Sequence, residues 1–298
     1  MNAYIRFGFG AASLSISPFF QLNAFIYLSF LRYSLRTQYY YSKTFGIIIL
    51  GVNIMNQRRT GDTIDIDGNY QYKALTKGYK VQRFWHYSKT LAIEEFLPPK
   101  STDKVIDVGC GSGIITRYLG EHAAEVLGVD GNPSAITWAS ENSKGKNISY
   151  HLGVVDESFG YQNYFDKIYC LEVIEHIYLS QAENMLRSFY NMLKLSGRVY
   201  LTTPNYSSYW VILEWILDRL HLVPELSGSQ HVERYKRRKL HTLAQKSGFK
   251  VECIFSTSLL APWLALISWR LADKIQRAEN HARLGAGAIL VCVLSKEC

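Results

Sequence analysis

One stretch constrains the fold of this chain more than any other. The run Val105-Ile106-Asp107-Val108 ends abruptly in Gly109-Cys110-Gly111-Ser112-Gly113, and a helical pattern follows. β-Branched residues suit a buried strand. Glycines supply positive φ and let backbone approach a ligand without side chains in the way. A strand running through such a turn into a helix is the opening unit of a doubly wound sheet, where the strand order reverses and a crevice opens for a nucleotide-like ligand. The spacing is G-x-G-x-G. A dinucleotide turn is G-x-G-x-x-G, and its third glycine would fall where this chain has Ile114. Asp107 sits at the strand end, where a carboxylate repels phosphate and suits an ammonium group. Asp130 closes the next strand, Val126-Leu127-Gly128-Val129-Asp130, at the place where an acid accepts hydrogen bonds from ribose hydroxyls.

The pattern continues in alternation. Further β-branched runs lie at 148–152, 167–171, 197–202, 249–255 and 288–294, with strands also predicted at 104–108 and 125–129. Helical segments are predicted at 71–97, 113–122, 133–142, 180–193 and 236–247, the first ended by Pro98-Pro99, since proline cannot continue a helix interior. Such alternation predicts an α/β fold, a doubly wound and mainly parallel sheet with helices on both faces.

With these motifs in place, the chain resembles the class I S-adenosylmethionine-dependent methyltransferases from about Gln71 to Cys298. VIDVGCGSG is similar to their cofactor turn, LGVD to the ribose-binding strand end, FDKIYCLEVIEHI to the fourth strand and its loop, LKLSGRVYLTTPN to the fifth strand, and SGFKVECIF and AGAILVCVL to the last two. The resemblance implies a seven-stranded Rossmann-like sheet whose seventh strand runs antiparallel beside the fifth. It implies S-adenosylmethionine as cofactor, held by Asp107, Gly109, Cys110, Gly111, Gly113, Asp130, Asp156 and Leu171, with Asp107 toward the methionyl part and Asp156 toward the adenine. Val154 stands after Gly153, where relatives often carry an acid, and departs from that pattern. The helix with Arg83-Phe84-Trp85-His86-Tyr87 is similar to one that closes over the cofactor.

Methyl transfer from a sulfonium is an in-line displacement in which alignment supplies much of the acceleration, and an oxygen acceptor must also lose a proton. Glu172-Val173-Ile174-Glu175-His176 follows the fourth strand. If it is helical, its i, i+3 and i+4 positions share a face. Two carboxylates and an imidazole would then suit Mg²⁺, Mn²⁺ or Zn²⁺. The E-x-x-E-H string resembles the metal motif of ubiquinone-biosynthesis O-methyltransferases and small-RNA 2′-O-methyltransferases, which take a further histidine after the fifth strand; His231 stands at a similar place. The expected metal set is Glu172, Glu175, His176 and His231. The metal-free alternative keeps Glu175 as a helix-capping acid and His176 or His231 as base.

Two apolar segments, 206–222 and 257–270, hold Trp210, Trp215, Trp263 and Trp269. They read equally as a lid over an apolar acceptor, a surface resting on a membrane, or insertions packed on each other. The expected organisation is an apolar, basic extension over 1–55 and one methyltransferase domain over 56–298 with lid-like insertions at 206–235 and 257–284. Residues 7–31 carry no formal charge. The extension reads as an anchor that leaves the body on the cytosolic side, as a targeting leader, or as non-native sequence before a start at Met55.

Six basic residues and no acids fall in residues 1–60; taking those six from 33 leaves 27 basic against 25 acidic residues. The body is therefore nearly neutral and lacks the basic field expected of a nucleic-acid binder. The function expected is O-methylation of a small or lipid-like, quinone-precursor-like acceptor in the cytoplasm. The alternatives are an RNA methyltransferase, a methyltransferase-like binding protein without chemistry, and a nicotinamide dehydrogenase, the last disfavoured by the glycine spacing. Five scattered cysteines with no C-x-x-C pair exclude a disulfide scaffold and a zinc finger.

Overall fold

The computed structural model describes residues 67–219, 231–283 and 285–297; the 1–55 extension, most of the polar lead-in after it, and 220–230 of the first insertion lie outside them. In chain order the elements are α1 (Tyr70–Lys77), α2 (Lys80–Phe96), β1 (Lys104–Val108), α3 (Ile114–Gly120), β2 (Glu125–Asp130), α4 (Pro133–Asn142), β3 (Ile148–Leu152), β4 (Phe165–Leu171), a 3₁₀ turn (Ile174–His176), α5 (Leu179–Met192), β5 (Leu193–Pro204), α6 (Trp210–Arg219), α7 (Arg237–Lys246), β6 (Lys250–Thr257), α8 (Ala261–Leu264), α9 (Trp269–Ala282) and β7 (Ile289–Ser295). Seven strands form one sheet in the order β3-β2-β1-β4-β5-β7-β6. β1, β2, β3, β4 and β5 pair in parallel, and β7 runs antiparallel between β5 and β6.

Successive strand residues point to opposite faces, and along the central strands both faces are dry. Ile106, Ile168, Cys170 and Leu201 join the core under α5 and α7, where Leu186, Phe189, Leu240 and Leu243 are buried. Val105, Tyr169, Tyr200 and Val293 join the opposite core with Ile93, Leu97 and Leu119 of α2, its end and α3. Burial on both faces explains why these strands read as continuous apolar runs.

The helix predicted over 71–97 is two helices. Gly78 is extended (ψ 168°), and a Cβ there would lie 2.3 Å from the Ala74 carbonyl oxygen. The chain turns at Gly78-Tyr79 and restarts as α2. Asn132 caps α4, its side chain accepting from the Ser134 and Ala135 N–H groups with Pro133 in the first turn; this arrangement favours helix initiation. Gly113, at the start of α3, has φ +75°, and a Cβ on it would meet the Tyr150 hydroxyl at 2.5 Å and Ser143 Cβ at 2.9 Å.

Asp107 ties β1 to α3. It is 2% exposed, and its carboxylate accepts the Thr116 hydroxyl at 2.6 Å. Burial pushes its pKa up to about 7, partly opposed by the Thr116 hydrogen bond. The native state therefore favours the protonated form. Its contribution is complete below the unfolded carboxylate range and is lost as pH rises through about 7. Urea unfolding of Asp107→Asn should accordingly lack a decline of about 4 kcal/mol that the unchanged chain shows between about pH 4 and 8. Parallel declines in the two proteins would contradict this. Gly113→Ala should cost about 2 kcal/mol, from the left-handed backbone and the crowding together.

Candidate active site

A cavity of about 670 Å³ opens at the carboxyl ends of the parallel strands, where β1 lies between β2 and β4. One end is built by the glycine turn. Gly109 (φ +76°) and Gly111 (φ +51°) line it. A Cβ on Gly109 would strike Val173 Cγ2 at 2.2 Å, and one on Gly111 would strike the Gln71 amide oxygen at 2.5 Å.

Every backbone N–H of the turn is engaged within the protein. Gly109 and Cys110 donate to the Val129 carbonyl and Gly113 to that of Cys110. Gly111 donates to Asp130 Oδ2 at 2.8 Å and Ser112 to Gln71 Oε1 at 3.3 Å. The turn thus presents bare glycine surface and no nest of N–H donors, a poor match for a pyrophosphate. Asp130 Oδ1 accepts from the Asn132 N–H at 2.8 Å, so each carboxylate oxygen holds one amide and keeps a second lone pair for a ligand. Burial raises the Asp130 pKa, offset in part by the two N–H bonds.

Of the expected cofactor residues, Gly109, Gly111, Asp130 and Asp156 line the cavity, with Asn132, Gly153 and Val154 beside them. Asp156 is held by the Ser158 N–H and hydroxyl at 2.8 and 2.6 Å, which lower its pKa. The other four stand behind the wall. Asp107 faces Thr116 rather than a ligand. Cys110 Sγ is close to Gly128, where a Cβ would lie 3.2 Å from it. Gly113 abuts Tyr150 and Ser143, and Leu171 is part of the core. Asp107, expected toward the methionyl part, is not among the residues that line the cavity and engages α3 through Thr116.

The other end of the cavity carries the acids and histidines. Glu175 and His176 lie on the 3₁₀ turn after β4, and His231 lies near the end of the first insertion. Donor atoms of Glu175, His176 and His231 all fall within 4.8 Å of one another. Glu175 is 1% exposed, and burial pushes its pKa up to about 7 although His231 opposes this. Thr203 donates its hydroxyl to Glu175 Oε2 at 3.0 Å. The Tyr206 hydroxyl lies 2.8 Å from His231 Nδ1 and orients that ring. One carboxylate oxygen and two imidazole nitrogens are a plausible donor set for Mn²⁺ or Zn²⁺ and a less natural one for Mg²⁺, which prefers oxygen.

The loop is not the α-helix that would align all four expected ligands. Glu172 has φ +56° and its N–H donates to the Thr202 carbonyl at 3.0 Å. Its carboxylate forms an ion pair with Lys89. Burial raises the Glu172 pKa, but Lys89 outweighs this and leaves it below the usual range. Lys89 and His86 were not singled out as site residues from sequence. Their signal was periodic: Gln82, Trp85, His86 and Lys89 all line the cavity, at the i, i+3, i+4, i+7 spacing of one helix face. Burial, with Lys89 nearby, drives the His86 pKa down to about 3, so this imidazole is neutral.

The insertions contribute apolar wall. Trp210, Leu213 and Trp263 line the cavity with Tyr79 and Val81, and Trp210 stacks at 5.1 Å on Trp85. Trp269 instead packs on Phe84 and Tyr87, and Trp215 is exposed. Among the described residues, no helix is long and apolar enough to cross a membrane.

Comparison with known proteins agrees with this geometry. The family model described as a methyltransferase domain matches residues 80–254. The mitochondrial ubiquinone biosynthesis O-methyltransferase of Rattus norvegicus is 28% identical over 165 residues, which cover 52% of this chain and 47% of that protein. The chain spans about half the length of the curated relatives it matches. Among solved structures, a chain of the complex between the Haloferax volcanii Trm112 methyltransferase activator and a methyltransferase superposes with a TM-score of 0.57 at 18% identity, covering 79% of this chain and 100% of that one. An S-adenosylmethionine-dependent methyltransferase from Mesorhizobium loti gives 0.52 at 17%, covering 70% and 97%. The match over more than half of the chain, on a sheet of this order with this glycine turn, places it: the chain belongs to the S-adenosylmethionine-dependent methyltransferase domain family.

Proposed function

We propose that this domain, read over 56–298, transfers a methyl group to an oxygen of a small, lipid-like phenolic acceptor, and that a divalent cation assists. One observation carries the reading. The donor cluster of Glu175, His176 and His231 lines the same cavity as the glycine turn and Asp130, so cofactor and acceptor ends share one space.

Bound S-adenosylmethionine supplies a methyl group already activated by its sulfonium. Gly109 and Gly111 make room for the methionyl part, Asp130 offers lone pairs to the ribose hydroxyls, and Gly153 to Asp156 border the adenine region. At the acceptor end, Glu175, His176 and His231 would hold the cation, whose charge lowers the proton affinity of an acceptor oxygen. Without it, His176 or His231 is the base available to take that proton. Trp85, Trp210, Leu213 and Trp263 exclude water and align the acceptor, the contribution on which an in-line displacement most depends.

The rim favours an apolar acceptor over RNA. Tyr79 and Ile267 are each 78% exposed, with Leu260, Leu266 and Trp263 also exposed, and there are no acids or bases from Thr257 to Trp269. Of these, Tyr79 and Trp263 line the cavity, and exposed apolar side chains at a cavity's mouth suit a lipid-like substrate delivered from an apolar phase.

Labelled methyl transfer to a panel of alkylated phenols and catechols tests this reading. Glu175→Ala and His231→Ala should each lower turnover about 100-fold, as should chelation; full activity after chelation discards the cation. Asp130→Asn should weaken S-adenosylmethionine binding by about tenfold, or 1.4 kcal/mol, in calorimetry. Unchanged affinity would remove Asp130 from the site.

A further inference from the structure

Glu172 is the member of the E-x-x-E-H string whose carboxylate does not join the donor cluster. Glu175, His176 and His231 converge, while Glu172 is engaged by Lys89. Its left-handed backbone is tied to β5 through the N–H bond to Thr202, and the ion pair holds its carboxylate. Lys89 reaches across from α2 and is 9% exposed; a buried ammonium is costly without an anion, so the pair maintains itself. Both side chains line the cavity that holds the donor cluster.

We propose that Lys89 is a positioning residue that withholds Glu172 from the cation site. A divalent ion there is then held by three protein donors with its remaining positions open. The inference rests on the metal reading of the same site. A carboxylate shared between an ammonium and a dication serves each less well, and the two cations repel one another. Four donors with two carboxylates would neutralise a dication and crowd its coordination shell. Three donors with one carboxylate leave it net positive, with open positions for acceptor oxygens, the arrangement of catalytic rather than structural metal sites. Lys89 thereby sets the charge and the openness of the site without itself touching the ion.

The test is Mn²⁺ binding to the full chain, read from the free-ion electron paramagnetic resonance signal, with folding checked by circular dichroism. Glu175→Ala should bind about tenfold more weakly than the unchanged chain, and Lys89→Met about tenfold more tightly, because Glu172 is released to the ion. Lys89→Arg, which keeps the charge, and Glu172→Gln should both stay within about threefold of the unchanged chain. If Glu175→Ala loses binding while Lys89→Met gains none, the metal reading stands and the role of Lys89 falls. If Glu172→Gln weakens binding as much as Glu175→Ala, Glu172 is already a ligand and the proposal is overturned; this arm decides should Lys89→Met not fold. No binding by either the unchanged chain or Lys89→Met would overturn both readings. Binding by Lys89→Met alone would overturn the proposal, since the unchanged chain would then hold no three-donor cation.

Discussion

The Asp130 carboxylate holds the cofactor end of this molecule together. One oxygen accepts the Gly111 N–H and the other the Asn132 N–H, so a single side chain fixes the glycine turn after β1 against the start of α4 after β2. Two parallel strands bring these loops side by side only because β1 and β2 are hydrogen-bonded neighbours in register, with Val108 beside Val129. The sheet order places the loops; Asp130 then locks them. The same bond consumes the N–H that a phosphate would want, so the lock that shapes the turn also biases its ligand away from dinucleotides.

The far end of the cavity is held by different means. Glu175 is buried among a threonine hydroxyl and two imidazoles, Tyr206 orients His231, and Lys89 draws Glu172 aside. Such a site is electrostatically tense. A carboxyl whose pKa burial lifts to about 7 sits near a second, ion-paired one, and the arrangement gains from any cation placed between Glu175 and the histidines. Groups in this condition cluster where chemistry is done. Trp85, Trp210 and Trp263 line the same cavity, and an apolar wall strengthens such interactions where it excludes water.

Much of the fold was legible because burial on both faces of the sheet writes its central strands as apolar runs. All seven strands lie where those runs are, with ends differing by a few residues, and Asp130 could be placed because a strand-terminal acid after a glycine turn has few other uses. What the sequence left open shares a cause: spacing does not say which way a side chain points. Asp107 at the end of β1 is the same letter whether it faces a ligand or, as here, Thr116 nine residues later. Glu172 at i, i+3 from Glu175 shares its face only on a helix, and a left-handed non-glycine residue gives no warning. Lys89 lies 83 residues from its partner, a distance across which pattern carries no pairing information.

Calorimetric titration of the full chain with S-adenosylmethionine and, separately, with NAD tests most directly the claim that a glycine turn locked by Asp130 selects a sulfonium nucleoside. Saturable one-to-one binding of S-adenosylmethionine with no heat from NAD is the predicted result. Binding of NAD alone would contradict it.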